Sequence, residues 1–456
     1  MKHQEELATK SITKLLIQYS VPAITGMLVN ALYNIVDRVF IGNIPQEGSL
    51  AITGIGITMP ISTIILACGM LVGVGSTANI SIKLGEGRRE VAERIIGNNI
   101  TLSVIIGLFI TAIGLGFKEP ILRAFGASEQ TLPYANQYIT IILMGTIFSV
   151  LGYSLNSNIR ADGNPMIAAL TMIVGCAINI ILDPILIFKF GWGIKGAAIA
   201  TVISQFVTAI WVLLYFVLKK SNLKFKPSDL KLDAALVRMI LAIGSAPFAM
   251  QLATSFVQVI ANNALKTYGG DLAIGAMATI SSISLIFLMP IFGLNQGSQP
   301  IIGYNYGAKQ YSRVKETFLI SLGFGTFILA IGFIVVQFFP ATIISFFNSD
   351  PELMEITIRG IRIYLFMLIF VSVSIVGSNF FQSIGKARLA IVLSLLRQLI
   401  LLVPLILVLP RFMGLDGVWL AQPISDTLAI IITLICLIRQ FKHLHQKEFD
   451  ELNFKN

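Results

Sequence analysis

A chain of 456 residues with 55% hydrophobic and only 12% charged side chains carries more apolar surface than a soluble domain needs to fill a core. The net charge of +10 does not point to nucleic acid, because the basic residues gather in polar connections between apolar stretches, where they report membrane topology. Cys68, Cys176 and Cys436 lie unpaired within apolar stretches, His3, His443 and His445 lie in the polar tails, and no phosphate-binding G-x-x-x-x-G-K-[ST] loop occurs. Disulfide, zinc, histidine-based and ATP-driven chemistry are thereby excluded, and an ion gradient of H⁺ or Na⁺ is left as the energy source.

The opening MKHQEELATK leads into the first apolar stretch without a small-residue cleavage site, so the N-terminus reads as mature. Twelve stretches long enough to cross about 30 Å of hydrocarbon as helices follow. They are expected at 14–42, 50–82, 95–117, 133–157, 166–188, 194–218, 235–264, 272–303, 317–339, 353–382, 389–410 and 414–437. The first carries Pro22 and then Asn30, Asn34 and Asp37 at helical spacing, a polar stripe that lipid cannot face. The fifth carries Asn179 and, one turn on, Asp183; the sixth carries Thr201 about two turns from its outer end. With odd spans running outward, all of these fall in the outer half of the first six spans. Two carboxylates, an amide and a hydroxyl form an oxygen set able to hold a hard cation such as Na⁺ or to trap a proton. The plainer alternatives are an Asp37 paired with Arg38 and an Asp183 that is a helix-end acid before Pro184.

The polar run KKSNLKFKPSDLKLD at 219–233 lies near the midpoint and reads as a cytoplasmic linker, followed by a second set of six spans. In that set, Asn295-Gln296-Gly297 occupies the eighth span, while Arg397 and Asp426 both sit near the midplane of the eleventh and twelfth. An ion pair locking those two helices is one reading; a second coupling or substrate site is the other.

Most lysines and arginines fall on the side of the termini and the linker, whereas Lys118, Arg123, Lys189, Lys195, Lys266 and Arg411 fall opposite; both termini are therefore expected in the cytoplasm. The halves repeat at an offset of about 220 residues: Ser20-Val21-Pro22 matches Ser245-Ala246-Pro247, Gly75-Ser76 matches Gly297-Ser298, Gly163 matches Gly385 and Pro184 matches Pro404. Six spans per half make the repeat parallel, with substrate expected between the halves. The fold class is thus all-α and polytopic, twelve transmembrane helices in two parallel six-helix lobes around a central cavity. Its parts are an N-terminal lobe at 1–218, the linker at 219–233, a C-terminal lobe at 234–440 and a cytoplasmic tail at 441–456.

Pro22 with Gly26, N-x-x-D-x-x-F-I-G at 34–42, I-R-A-D-G at 159–163, N-I-I-L-D-P at 179–184 and G-A-A-I-A-T at 196–201 together resemble the multidrug and toxic compound extrusion (MATE) family, over essentially the whole chain. The resemblance implies V-shaped lobes in alternating access, with bending near Pro22 tied to the ionic state of the N-lobe acids. It implies a cation site of Asp37, Asn179, Asp183 and Thr201 (the Na⁺ ligands if sodium is the coupling ion), and a neighbouring cavity lined by Tyr138 and Asn156. By spacing, Asn156 lies near the cytoplasmic end of span four. Where some relatives carry a span-eight glutamate this chain has Gln296, and Met289 to Gln299 is expected to line the substrate cavity or form a polar interhelical seam.

The expected protein is therefore a monomeric exporter in a bacterial inner membrane, embedded in the lipid bilayer, antiporting amphipathic cationic drugs against H⁺ or Na⁺ without any cofactor. The alternative is a flippase for lipid-linked glycans. A channel is disfavoured because no ring of identical polar residues or re-entrant filter occurs. An enzyme is disfavoured because no nucleophile–base or metal-ligand set exists.

Overall fold

The computed structural model describes residues 2–45, 47–218, 221–224, 226–346 and 351–453. These are predominantly helical, without a β-strand among them. Ten helices are each long and apolar enough to cross a membrane, and two bent pairs raise the number to 12 if each pair is one span. In chain order they are α1 (Ile12–Gly42), α2 (Leu50–Gly85), α3 (Arg89–Ala124), α4 (Leu132–Met144 with Thr146–Ala161), α5 (Pro165–Lys189) and α6 (Gly193–Val217). The second half supplies α7 (Ala234–Gly270), α8 (Leu272–Gly307), α9 (Tyr311–Phe338), α10 (Pro351–Tyr364 with Leu368–Ser383), α11 (Ala387–Met413) and α12 (Leu415–Phe449). The expected tail is a continuation of the last helix, which runs unbroken to Asn453. Large apolar side chains such as Phe109, Phe117, Phe338 and Phe412 stand exposed on the helix surfaces, as a hydrocarbon solvent permits.

The sequence repeat has a backbone counterpart. The fourth helix of the first half bends by 54° at Gly145, and the fourth of the second half bends by 53° across residues 365–367. The matched Gly163 and Gly385 both take positive φ, 100° and 76°, which lets each chain turn tightly into the following helix. The fifth helix of each half contains a π-turn, at Ile185–Lys189 after Pro184 and at Leu396–Leu401 around Arg397. Pro184 has no N–H to give the regular ladder, so the widened turn begins where a donor is missing.

By their contacts the residues form two units, and the division falls inside helices rather than at the linker. One unit comprises Met1–Glu6 with Thr25–Phe248, the other Leu7–Ile24 with Ala249–Asn456. In the first, α7 up to Phe248 lies against α2 at two glycines: a Cβ at Gly75 would overlap the Ile240 carbonyl, and one at Gly244 would overlap the Leu71 carbonyl. Asn79 Nδ2 joins the same seam by donating to the Met239 carbonyl at 3.0 Å. In the second, α1 up to Ile24 lies against α8, where Gly293 meets Ile24 and Gly297 meets Ser20. Leu15, Leu16 and Tyr19 bury with Ile301 there, and Arg313 Nη2 donates to the Leu7 and Lys10 carbonyls at 3.0 and 2.7 Å.

The described part of the linker is strapped onto the N-terminal end of α3. Arg94 pairs with Asp233 at 2.6 Å, Thr101 Oγ1 donates to the Leu230 carbonyl at 2.7 Å, and the Lys224 N–H donates to Glu93 at 2.8 Å. The Asp162 carboxylate accepts from the Tyr215 hydroxyl and from the N–H groups of Asn222 and Leu223. Asp233 caps α7: the Ala235 and Leu236 N–H groups, and then Arg94, hold its carboxyl below the usual range.

The glycine seam is testable. Gly244→Ala places a methyl where the Leu71 backbone stands, so the purified protein should lose stability by about 1–3 kcal/mol. Gly56→Ala meets nothing within 4 Å and should leave the thermal midpoint unchanged or raise it. Equal midpoints for the two variants would contradict the close approach.

Candidate functional site

Asp37 lies in the last turns of α1 and Asp183 near the end of α5, and the structure brings the two together. Asp37 is 9% exposed and Asp183 fully buried, and their carboxyl groups are within hydrogen-bonding reach of each other. Carboxyl groups make such a contact only when one of them carries a proton to donate, or when a cation lies between them. Each also keeps one buried oxygen, Oδ1 in both cases, without a hydrogen-bond partner among the described residues. Among the described residues Arg38 makes no ion pair with either acid, its guanidinium reaching the Met59 sulfur at 3.9 Å, although its charge lies within electrostatic reach of Asp37.

Asn179 and Thr201 complete the expected set. With the Asn179 amide nitrogen turned toward Asp183, it donates to Oδ2 at 2.7 Å, and its oxygen accepts from the Thr201 N–H at 3.1 Å and hydroxyl at 3.3 Å. This orientation is the physical one, since the reverse would set an oxygen against a carboxylate. The regular helix up to Asp183 sets the spacing of 179 and 183 on one face, and the π-turn begins directly beyond it.

Two phenols close the cluster. Tyr138 and Tyr33 are both within hydrogen-bonding reach of Thr201 and within electrostatic reach of both acids. Tyr138 belongs to the apolar core around Ile139, Ile142 and Ile187, which shields the site on that flank. Tyr33 is the residue sequence reasoning passed over, although it precedes Asp37 by one helical turn and shares its face. The donor set is entirely oxygen and amide; no group of three or more His, Cys, Asp or Glu side chains able to hold a metal occurs among the described residues.

Other expected residues lie elsewhere. Asn34 is exposed and bonds back to the Asn30 carbonyl at 2.7 Å. Asn156 is buried but committed near the C-terminal end of α4, donating to the Ala168 carbonyl at 2.7 Å and accepting from Arg160 at 2.8 Å. Pro22 is buried within an unbroken helix, and Gly26 abuts Met172, whose sulfur would stand 3.2 Å from an added Cβ. Gln296 is half-buried on α8, its Oε1 without a hydrogen-bond partner among the described residues. In the second unit, Arg397 Nη1 meets Asp426 Oδ1 at 3.4 Å.

The MatE family model matches residues 22–185 and 247–408. The chain is 29% identical over 424 residues to the multidrug export protein MepA of Staphylococcus haemolyticus, covering 93% of each protein. It is 26% identical over 427 residues to MepA of a Staphylococcus aureus strain, again at 93% of each. A crystal structure of a MATE protein in the bent conformation superposes with a TM-score of 0.92 at 24% identity, covering 98% of this chain and 99% of that one.

The contact between two acids makes a stability prediction. Asp183→Asn supplies an amide N–H to Asp37 without needing a shared proton or bridging cation. The thermal midpoint of this variant should equal or exceed that of the parent in alkaline buffer without added sodium, where the paired carboxyls are least matched. A large loss of stability in that buffer would mean that the acids are held apart.

Proposed function

The chain belongs to the MatE family, and from that premise we propose that it exports amphipathic, predominantly cationic compounds across a bacterial cytoplasmic membrane by antiport against H⁺ or Na⁺. The observation that carries the reading is the buried Asp37–Asp183 contact with one unpartnered oxygen on each acid. Such a pair is incomplete without a mobile cation. H⁺ fills it by bridging the carboxyls; Na⁺ fills it by taking the free oxygens with Asn179 and Thr201 as neutral ligands. The multidrug export described for the MepA relatives supports the substrate class.

In this reading the lobes are the repeats at 1–218 and 234–440, both termini are cytoplasmic, and the protein works as a monomer. Entry of the cation favours the state that releases drug outside, and loss of the cation to the cytoplasm favours the state that admits drug. The two ligands must prefer different states, since a ligand with no preference shifts nothing. Pro22 stands where α1 lacks one backbone donor and passes from one contact unit to the other, which suits it to be the bend that the ionic state of Asp37 controls.

Proteoliposomes loaded with ethidium and placed under an imposed pH or sodium gradient test this. The parent protein should move the dye under one gradient, and Asp37→Asn and Asp183→Asn should each lower the gradient-driven rate by about tenfold or more, as removing an essential charged group does. Efflux that ignores both gradients, or survives both substitutions, would overturn the coupling.

A further inference from the structure

A second buried polar centre lies in the unit that holds Ala249–Asn456, and its chemistry is opposite to that of the acid pair. Arg397 is the eleventh residue of α11, about 15 Å along a helix that starts at Ala387, which places it near the middle of its span. Three local irregularities converge on it. Its own backbone lies in the π-turn Leu396–Leu401, where the Ser425 hydroxyl donates to the Arg397 carbonyl at 2.6 Å. Asp426 follows Pro423 by three residues on α12. Tyr364, the last residue before the bend of α10, is within electrostatic reach of both charges. Widened turns and broken helices at membrane depth are costly and persist where a site needs them.

The ion pair is lopsided. Gln422 Nε2 donates to both Asp426 oxygens, at 3.1 and 3.2 Å, while Arg397 reaches that carboxylate through Nη1 alone, at 3.4 Å. A guanidinium has five N–H donors on a planar fork. Among the described residues Nη1 to Asp426 is the only bond shown for this one, and 15% of the side chain remains accessible. Uncommitted guanidinium donors are not left against lipid tails, so the free edge faces a watery or ligand-holding space.

We propose that Arg397 is a specificity-determining residue whose free edge receives the carboxylate of a zwitterionic amphipathic substrate, with Asp426 and Gln422 fixing the opposite edge. Charge balance selects the zwitterion. Arg397 and Asp426 cancel when the site is empty, so a simple anion would leave one uncompensated negative charge, whereas a substrate with its own cationic group leaves none. The fork also favours a planar carboxylate over other acceptors, because two parallel N–H groups can meet its two oxygens. This extends the substrate class of the proposed exporter from cations to zwitterions and rests on that reading for the transport step, though not for binding.

The test is equilibrium binding to the full-length protein in detergent, followed by fluorescence polarisation. The probes are rhodamine B, which carries a carboxylate beside a delocalised cation, and its ethyl ester, which is the same dye without the anion. The parent should bind the acid about tenfold more tightly than the ester, the scale of one charge-assisted contact. In Arg397→Gln the two probes should bind alike, and Arg397→Lys should keep part of the preference, having the charge without the fork. Arg397→Gln combined with Asp426→Asn leaves no buried charge unpaired; it should bind both dyes alike, which separates recognition from folding. Equal affinities for acid and ester in the parent, absence of binding, or a preference for the acid that survives in Arg397→Gln would each overturn the assignment. Loss of binding to both dyes in the double variant would do so too, by making the pair structural. An intact acid preference in a protein whose ethidium efflux follows neither gradient would instead sink the coupling mechanism and leave Arg397 in place.

Discussion

Hydrocarbon offers no hydrogen bonds, so a polar group inside a transmembrane helix has to be matched by the protein itself or by something the protein holds. A cluster of neutral polar groups in the first unit is arranged around one instance of this constraint, the meeting of Asp37 with Asp183. Asn179 is turned to donate to one acid, Thr201 joins it across to α6, and Tyr33 and Tyr138 bring phenols to the same hydroxyl. These neutral groups satisfy some of the carboxylate lone pairs and none of the charge. What they leave open, among the described residues, is one oxygen on each acid, the feature on which the proposed cation coupling rests.

The repeat explains why the chemistry is found in one place and not in its counterpart. Both halves share a skeleton: a bend in the fourth helix, a positive-φ glycine after it, and a π-turn in the fifth. These are backbone properties, and a duplicated backbone keeps them. Side chains diverged upon it. At the position matching Asp426 the first half has Gln205, with a buried Oε1 that finds no partner among the described residues, and at the position matching Arg397 it is near Gly175, which packs against Thr208. The second half has its own signature where the first has glycine: Lys309 takes φ 61° at the place that Gly87 occupies with φ 74°.

Much of this was legible in the sequence, for reasons that differ by residue. The spans were readable because about 20 apolar residues in a row have few other uses, and their ends fell within a turn or two of expectation except where α12 runs on through charged residues. Asp37, Asp183, Arg397 and Asp426 stood out because an ionisable group in an apolar run is conspicuous. Tyr33 did not, since tyrosine is ordinary in membrane helices and only the three-dimensional meeting with Thr201 gives it a role. Asn34 shares the stripe with Asp37 by spacing, while its amide bonds back to the Asn30 carbonyl of its own helix. The seams between α2 and the start of α7, and between α8 and the start of α1, were beyond reach. Gly75, Gly244, Gly293 and Gly297 signal close approach to something, and sequence does not say to what. The strap of the linker on α3 was hidden too, since a run of lysines looks solvated whether or not its backbone is tied down.

The two polar centres differ in one respect that decides their roles. Arg397 and Asp426 carry opposite charges and cancel at 3.4 Å; whatever binds there must itself be near neutral, or the pair becomes a net burden. Asp37 and Asp183 carry the same charge and cannot cancel at any distance. Their burial is tolerable only while a positive charge is present, and the lowest-cost positive charge is one that can come and go, because a fixed lysine or arginine would already have neutralised them and removed any dependence on the ion outside. Arg38, the neighbour best placed in sequence to do so, has its guanidinium on Met59 and acts on Asp37 only through space, not as an ion pair among the described residues. The unbalanced acids therefore suit an ion that crosses, and the balanced pair suits a ligand that is recognised, on a shared scaffold whose backbone distinguishes neither.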